Sequence, residues 1–292
     1  MGRRRGRAGV PPFELLSPAT ADEAIAALRA SDGTDVAVIA GGTDLLLDVD
    51  EGRTSPSTVV SLRRLPWRTL DWSEAGLTVG STLSLRALEL DPDLRRRIPG
   101  LWQAVHAVGS VSLRHRATLG GNLGRSAPSS DLVPMLLALD AEVELLGPDG
   151  ARSLPVDRFV RASRRTSLGS GELIRSVRIP DAAHSAFVWQ RVRPANDISQ
   201  VAVAVARPDR ARSWRVAIGG VPPRPVLSPE AAAALGAGDP EPEGIARASE
   251  LAARDVALVA DRRASEGYRR RLVGILLARA VRSATATIAG GA

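Results

Sequence analysis

The chain has 292 residues, 44% hydrophobic and 24% charged, enough for two or three compact units, and no apolar run approaches the roughly 20 residues that cross a bilayer. It holds no cysteine, which excludes disulfides, a cysteine nucleophile and an iron-sulfur cluster on its own thiolates; its three histidines, His106, His115 and His184, lack the close spacing of a zinc site. The formal charge of +7 comes from 39 basic residues that are all arginine and mostly scattered, so it reads as a compositional bias and not as a nucleic-acid surface.

Residues 1–12 are basic and Gly-rich with no apolar stretch behind them, so they read as a disordered tail and not a secretory signal, leaving the cytoplasm as the expected compartment. Thr20-Ala21-Asp22-Glu23 has the form of a capping box and starts a first helix. The β-branched run 36–40 reads as a buried strand that ends in Gly41-Gly42-Thr43-Asp44. Strands are expected over 58–62 and 77–83, with helices over 84–90 and 101–108. A strand over 142–146 meets the turn Gly147-Pro148-Asp149-Gly150 and returns as a hairpin. The strand over 172–180 ends at Pro180, and the main boundary falls after it. Three strand-like runs, 186–192, 200–206 and 214–219, then precede helices over 245–257 and 266–282, the last with Leu272, Ile275, Leu276 and Arg279 at helical spacing. Strands followed by helices suggest an α+β second domain, and no internal repeat is present.

The stretch from Arg114 to Ala141 carries the chemistry. Ala117-Thr118-Leu119-Gly120-Gly121-Asn122-Leu123 places two glycines where backbone N–H groups can approach an anion, with Thr118 and Asn122 beside them. The run 129–140 has N-cap residues first and apolar residues at 132, 135, 136 and 139, so the glycine turn is expected to precede a helix N-terminus, which favours a diphosphate. A tight turn between strand and helix would explain the same glycines. Asp44 and Asp131 read equally as helix-start residues and as cofactor contacts, and Asn122 as a ligand contact or a left-handed turn residue.

Taken together, Val38-Ile39-Ala40-Gly41-Gly42-Thr43-Asp44-Leu45 and the segment 114–139 resemble the FAD-binding medium subunit of the molybdenum hydroxylases, the carbon monoxide and xanthine dehydrogenase type. Further landmarks stand in order: Phe13-Glu14-Leu15, Ser61-Leu62-Arg63-Arg64-Leu65-Pro66, Gly171-Glu172-Leu173-Ile174, Asn196-Asp197-Ile198-Ser199 and Arg263 to Arg270. The resemblance implies an α+β chain: a vanillyl-alcohol-oxidase or PCMH-type FAD-binding domain of two α/β subdomains over 13–181, then a C-terminal antiparallel-sheet-and-helix domain over 182–292. It further implies FAD contacts at Val38, Ile39, Ala40, Gly41, Gly42, Thr43, Asp44, Leu45, Val108, Thr118, Leu119, Gly120, Gly121, Asn122, Asp131 and Ile174, with no catalytic or metal residue. By the same resemblance the chain is an oxidoreductase subunit. It would pass electrons from 2Fe-2S clusters on a small partner, supplied by a large molybdenum-cofactor subunit, through FAD to NAD, quinone or oxygen, in a dimer of heterotrimers. The family often carries a lysine near the flavin where this chain reads Val188-Trp189-Gln190-Arg191, so Gln190 or Arg191 would stand in for it. The loop 110–115 or an exposed face of the C-terminal domain is expected to dock the iron-sulfur partner. A self-contained FAD oxidoreductase and a scaffold that has lost flavin are the alternatives. No G-x-G-x-x-G follows a strand, and no lysine exists for a P-loop.

Overall fold

A computed structural model describes residues 11–30, 35–193, 197–209 and 213–286. Residues 1–10 of the expected tail and Asn196 of the Asn196-to-Ser199 landmark lie outside the described residues.

Three strands, β1 (Glu14–Leu16), β2 (Val36–Ile39) and β3 (Thr58–Ser61), make a small parallel sheet in the order β1-β3-β2. Helix α1 (Ala21–Arg29) connects the first two. Its capping box is complete: the Glu23 backbone N–H donates to Thr20 Oγ1 at 3.2 Å, and the Thr20 N–H donates to the Glu23 carboxylate. Helix α2 (Leu45–Asp50) follows β2 directly.

The second sheet is antiparallel. It combines β4 (Leu70–Ser73), β5 (Gly76–Gly80), β6 (Glu142–Gly147) and β7 (Gly150–Pro155) with a strand from later in the chain. A short hairpin, β8 (Val160–Ala162) and β9 (Arg165–Thr166), precedes that strand, β10 (Leu173–Ile179), which inserts centrally to give the order β4-β5-β10-β6-β7. Val177 thereby pairs with Val79 on one side and Val143 on the other, and all three are fully buried. Between β5 and β6 run α3 (Leu85–Glu89), α4 (Leu94–Arg97), α5 (Pro99–Ala107), α6 (Val111–Arg114), α7 (Leu119–Arg125) and α8 (Leu132–Ala138); α9 (Val156–Phe159) follows β7.

The C-terminal sheet runs β11 (His184–Gln190), β12 (Val201–Arg207), β13 (Arg215–Gly219) and β14 (Val226–Leu227), antiparallel in sequence order. Helices α10 (Pro229–Ala234), α11 (Pro242–Asp255) and α12 (Glu266–Ala286) follow. Strand β12 alternates Val and Ala, and strand side chains point to opposite faces in turn. Val201, Val203 and Val205 therefore join the core under α11 and α12, whereas Ala202, Ala204 and Ala206 face α5 and α8. That is why α8 is buried on every side. The backbones come close there: a Cβ on Gly219 would meet the Pro134 ring, and one on Gly100 would meet Met135 sulfur at 2.8 Å.

Most expected elements are present, with three differences. Strands β1, β4, β8, β9 and β14 and the short helices α4, α6, α9 and α10 are additional, each too short to show a period. On α12 the buried stripe is Leu272, Val273, Leu276, Leu277, Ala280 and Val281; Ile275 is 49% exposed. The third difference concerns the glycines.

Candidate functional site

A cleft of about 580 Å³ opens where three segments meet: residues 38–47, from the end of β2 into α2, residues 108–125, and residues 168–174, which run into the start of β10. Its walls join the small parallel sheet to the larger antiparallel one.

Gly41 sits where a Cβ would run into the Arg116 carbonyl, so this glycine allows the two glycine segments to touch each other. Gly42 has φ +79°, a left-handed conformation that glycine adopts without steric penalty. Among the described residues, the backbone N–H groups of residues 41–45 donate to no other group, and all five residues line the cleft. The second pair differs from the sequence expectation. Gly120 and Gly121 lie inside the first turn of α7 and not in a turn before a later helix. Thr118 is the N-cap of α7, its Oγ1 accepting from the Gly121 N–H at 3.0 Å. Gly120 packs on Ser81, whose carbonyl accepts its N–H at 3.2 Å.

The two segments are also ionically joined. Arg125, at the end of α7, donates to Asp48 of α2 and lies 3.3 Å from Asp44. The Arg125 hydrogen bond, opposed by burial and helped by Arg53, holds the Asp48 carboxyl at about 2.

Residues 11–182 match the family model of the FAD binding domain in molybdopterin dehydrogenase, and residues 187–284 match that of the CO dehydrogenase flavoprotein C-terminal domain. The chain belongs to the FAD-binding molybdopterin dehydrogenase family. It is 28% identical over 277 residues to the nicotine 6-hydroxylase medium subunit of Paenarthrobacter nicotinovorans, covering 93% of this chain and 97% of that one. The nicotinate dehydrogenase FAD-subunit of Eubacterium barkeri is 31% identical over 188 residues; here the match spans 62% of each chain, so about three fifths of that relative's length. Among solved structures, carbon monoxide dehydrogenase from Hydrogenophaga pseudoflava superposes with a TM-score of 0.87 at 25% identity, covering 96% of this chain and 99% of that one. Quinoline 2-oxidoreductase from Pseudomonas putida 86 gives 0.87 at 26% identity, with the same coverages.

As a member of this family the chain is an oxidoreductase subunit whose cofactor is FAD. The cleft fits that cofactor on its own terms. Five consecutive unengaged N–H groups suit phosphate oxygens, glycine and small side chains leave the approach open, and the hydroxyl of Ser81, a cleft residue, is buried with no partner among the described residues.

Of the residues expected to meet FAD, those from 38 to 45 together with Val108, Thr118, Gly120, Gly121, Asn122 and Ile174 line the cleft. Leu119 and Asp131 do not. Leu119 is wholly buried in the core beneath α7. Asp131 turns toward the C-terminal sheet, accepting from Arg191 at 2.7 Å and from Ser199 at 2.7 Å. Burial pushes its carboxyl up against the pull of Arg191 and Ser199. Neither Asp44 nor Asp131 makes a side-chain capping bond, although each occupies an N-cap position. Asn122 is helical, its Oδ1 accepting from Ser130 at 2.6 Å; the left-handed residue is Ser126 at the end of α7.

Gln190 and Arg191 also stand off the cleft, since Gln190 donates to its neighbour's carbonyl and Arg191 is held by Asp131. Arg114, expected on an exposed docking loop, is instead buried in α6 against Glu89, whereas Arg116 is exposed. Ser81, Glu89 and Arg125 carry no local signal in the sequence, whereas Glu172 stands within the landmark Gly171-Glu172-Leu173-Ile174.

Proposed function

We propose that this chain is the electron-carrying FAD subunit of a molybdenum hydroxylase. It would receive electrons from 2Fe-2S clusters on a small partner, after substrate oxidation on a large molybdenum-cofactor subunit, and pass them to NAD, a quinone or oxygen. The proposed assembly is a dimer of such heterotrimers. Within the chain, 13–181 would form the cofactor-binding unit and 182–292 the unit that closes its back. Residues 38–45, 108, 118, 120–122 and 174 would contact the cofactor, and Leu119 and Asp131 would support the wall from behind.

The observation that carries this reading is the state of the charged side chains in the cleft. Those that line it are Asp44, Arg125 and Glu172. Asp44 pairs with Arg125, Arg125 binds Asp48, and Glu172 accepts from Arg152 at 2.6 and 2.7 Å and from the Gly169 N–H at 2.6 Å. Among the described residues the cleft thus presents no unengaged acid or base to a small substrate. The flavin supplies two-electron and one-electron chemistry in the same ring. The chain's own residues bind and orient it. The N–H groups of 41–45 take the anionic part, each hydrogen bond to charge contributing about 1.5–3 kcal/mol. Val38, Ile39, Val108 and Ile174 supply apolar walls that exclude water.

The test is to load the purified chain with FAD and follow flavin absorbance. Reduction by dithionite, with none by candidate small substrates until both partner subunits are added, is the expected result. Reduction by a small substrate in the isolated chain would overturn it in favour of a self-contained oxidoreductase.

A further inference from the structure

The last carbonyls of a helix have no partner within it. At the end of α5, three successive carbonyls find theirs in two buried guanidinium groups. Arg114 Nη1 donates to the carbonyls of His106 and Val108 at 3.1 Å each, and Arg191 Nη2 donates to that of Ala107 at 2.8 Å. The two arginine side chains are only 4% and 6% exposed. Each has a carboxylate of its own: Glu89 accepts from Arg114 at 2.8 and 3.0 Å, and Asp131 from Arg191 at 2.7 Å. The residues they grip run straight into the cleft, since Val108 and Gly109 line its wall and Gly109 has φ +50°.

The two arginines come from different parts of the molecule. Arg114 belongs to α6, beside the cleft; Arg191 follows β11 in the C-terminal sheet and is braced by Ser199, which also donates to Asp131. Neutralising the two carboxylates requires only a cation. Reaching a carboxylate and adjacent carbonyls together requires the planar fork of arginine, which lysine lacks.

We infer that Arg114 and Arg191 are positioning residues for the flavin, acting through the carbonyls of residues 106–108 to fix the wall at Val108 and Gly109. Arg191 makes the C-terminal sheet a part of that wall. The inference rests on the cleft being the FAD site.

The experiment uses the full chain with FAD and compares Arg114→Lys, Arg191→Lys and the double variant. Each substitution keeps a cation opposite its carboxylate and removes the fork. FAD dissociation constants should rise about tenfold in each single variant, the equivalent of roughly one hydrogen bond to a charged group. The visible circular dichroism and the reduction potential of the bound flavin should shift with them, and the apoprotein should melt somewhat below the parent because buried carbonyls lose a donor. Because both side chains act on one strap, the double variant should lose about tenfold also, not a hundredfold. A parent chain that binds no FAD would strike the cofactor site itself. A parent that binds FAD, with affinity, dichroism and potential unchanged in both single variants, overturns the positioning role, as does a fully multiplicative double. Should Arg114→Lys fail to fold, Gly109→Ala replaces it. That change strains the strap and touches neither ion pair, and an unaltered flavin signature in it and in Arg191→Lys overturns the inference equally.

Discussion

Four glycines of the two motifs look alike in sequence, yet the structure gives them separate reasons. Gly42 is set by its positive φ, Gly41 by the Arg116 carbonyl and Gly120 by Ser81; at Gly121 a Cβ would stand 2.9 Å from Thr118 Oγ1. We predict that Gly121→Val displaces the capping hydroxyl and fills the cleft, losing most bound FAD while the apoprotein still folds, as read by flavin fluorescence and circular dichroism. Gly120→Ala should instead destabilise the chain by about 1–3 kcal/mol in urea, since its Cβ would press on the Ser81 backbone. The glycine motifs were therefore legible as a site, but which glycine serves the ligand was not. The burial of Glu89 was not legible: in the run Ser84 to Leu90 it looks like a surface helix residue paired with Arg86 three residues before it, and its other partners, His106 and Arg114, lie 17 and 25 residues away. Burial raises its carboxyl, but the bonds from Arg114, Arg86 and His106 outweigh burial and bring it from 4.5 to about 2. A depressed value in the folded state contributes stability that is present above pH 4.5 and lost as pH falls toward 2. Glu89→Gln should thus lower the unfolding free energy measured in urea at pH 7 by roughly 1–3 kcal/mol, with the gap to the parent closing as pH falls through that window.

Elements whose cause is local were read well, and those whose cause is distant were not. Helix α1 carries its own start signal, and Thr20→Ala should cost about 1 kcal/mol of stability by removing the hydroxyl that caps it, measurable by thermal melting. Helix α7 contains Gly120, Gly121 and Gly124, poor helix formers, so its sequence argues for a turn. It is helical because Thr118 caps it and because Leu119 and Leu123 are drawn wholly into the core. Strand β10 was found, but not its place between β5 and β6, which depends on pairing across about a hundred residues with Val79 and about thirty with Val143. The α12 stripe was misplaced at Ile275 because spacing alone does not say which of two adjacent faces meets the sheet.

At the scale of the whole molecule, the cofactor cleft and the C-terminal sheet are parts of one packing problem. The alternating residues of β12 belong to two different cores, and the alanine face lies against the helices α5 and α8 that stand behind the cleft. Ala204→Leu should therefore overpack that contact and destabilise the entire chain by about 1–3 kcal/mol in a single unfolding transition. A second transition, belonging to one half only, would show that the halves are independent. The arrangement also sets a schedule for biosynthesis. Helix α5 leaves the ribosome long before β12, and until the alanine face arrives the helix ends that shape the cleft have nothing behind them. Flavin should accordingly load only onto a finished chain: nascent chains stalled before Val201 are expected to retain no FAD, and chains stalled beyond α12 to retain it.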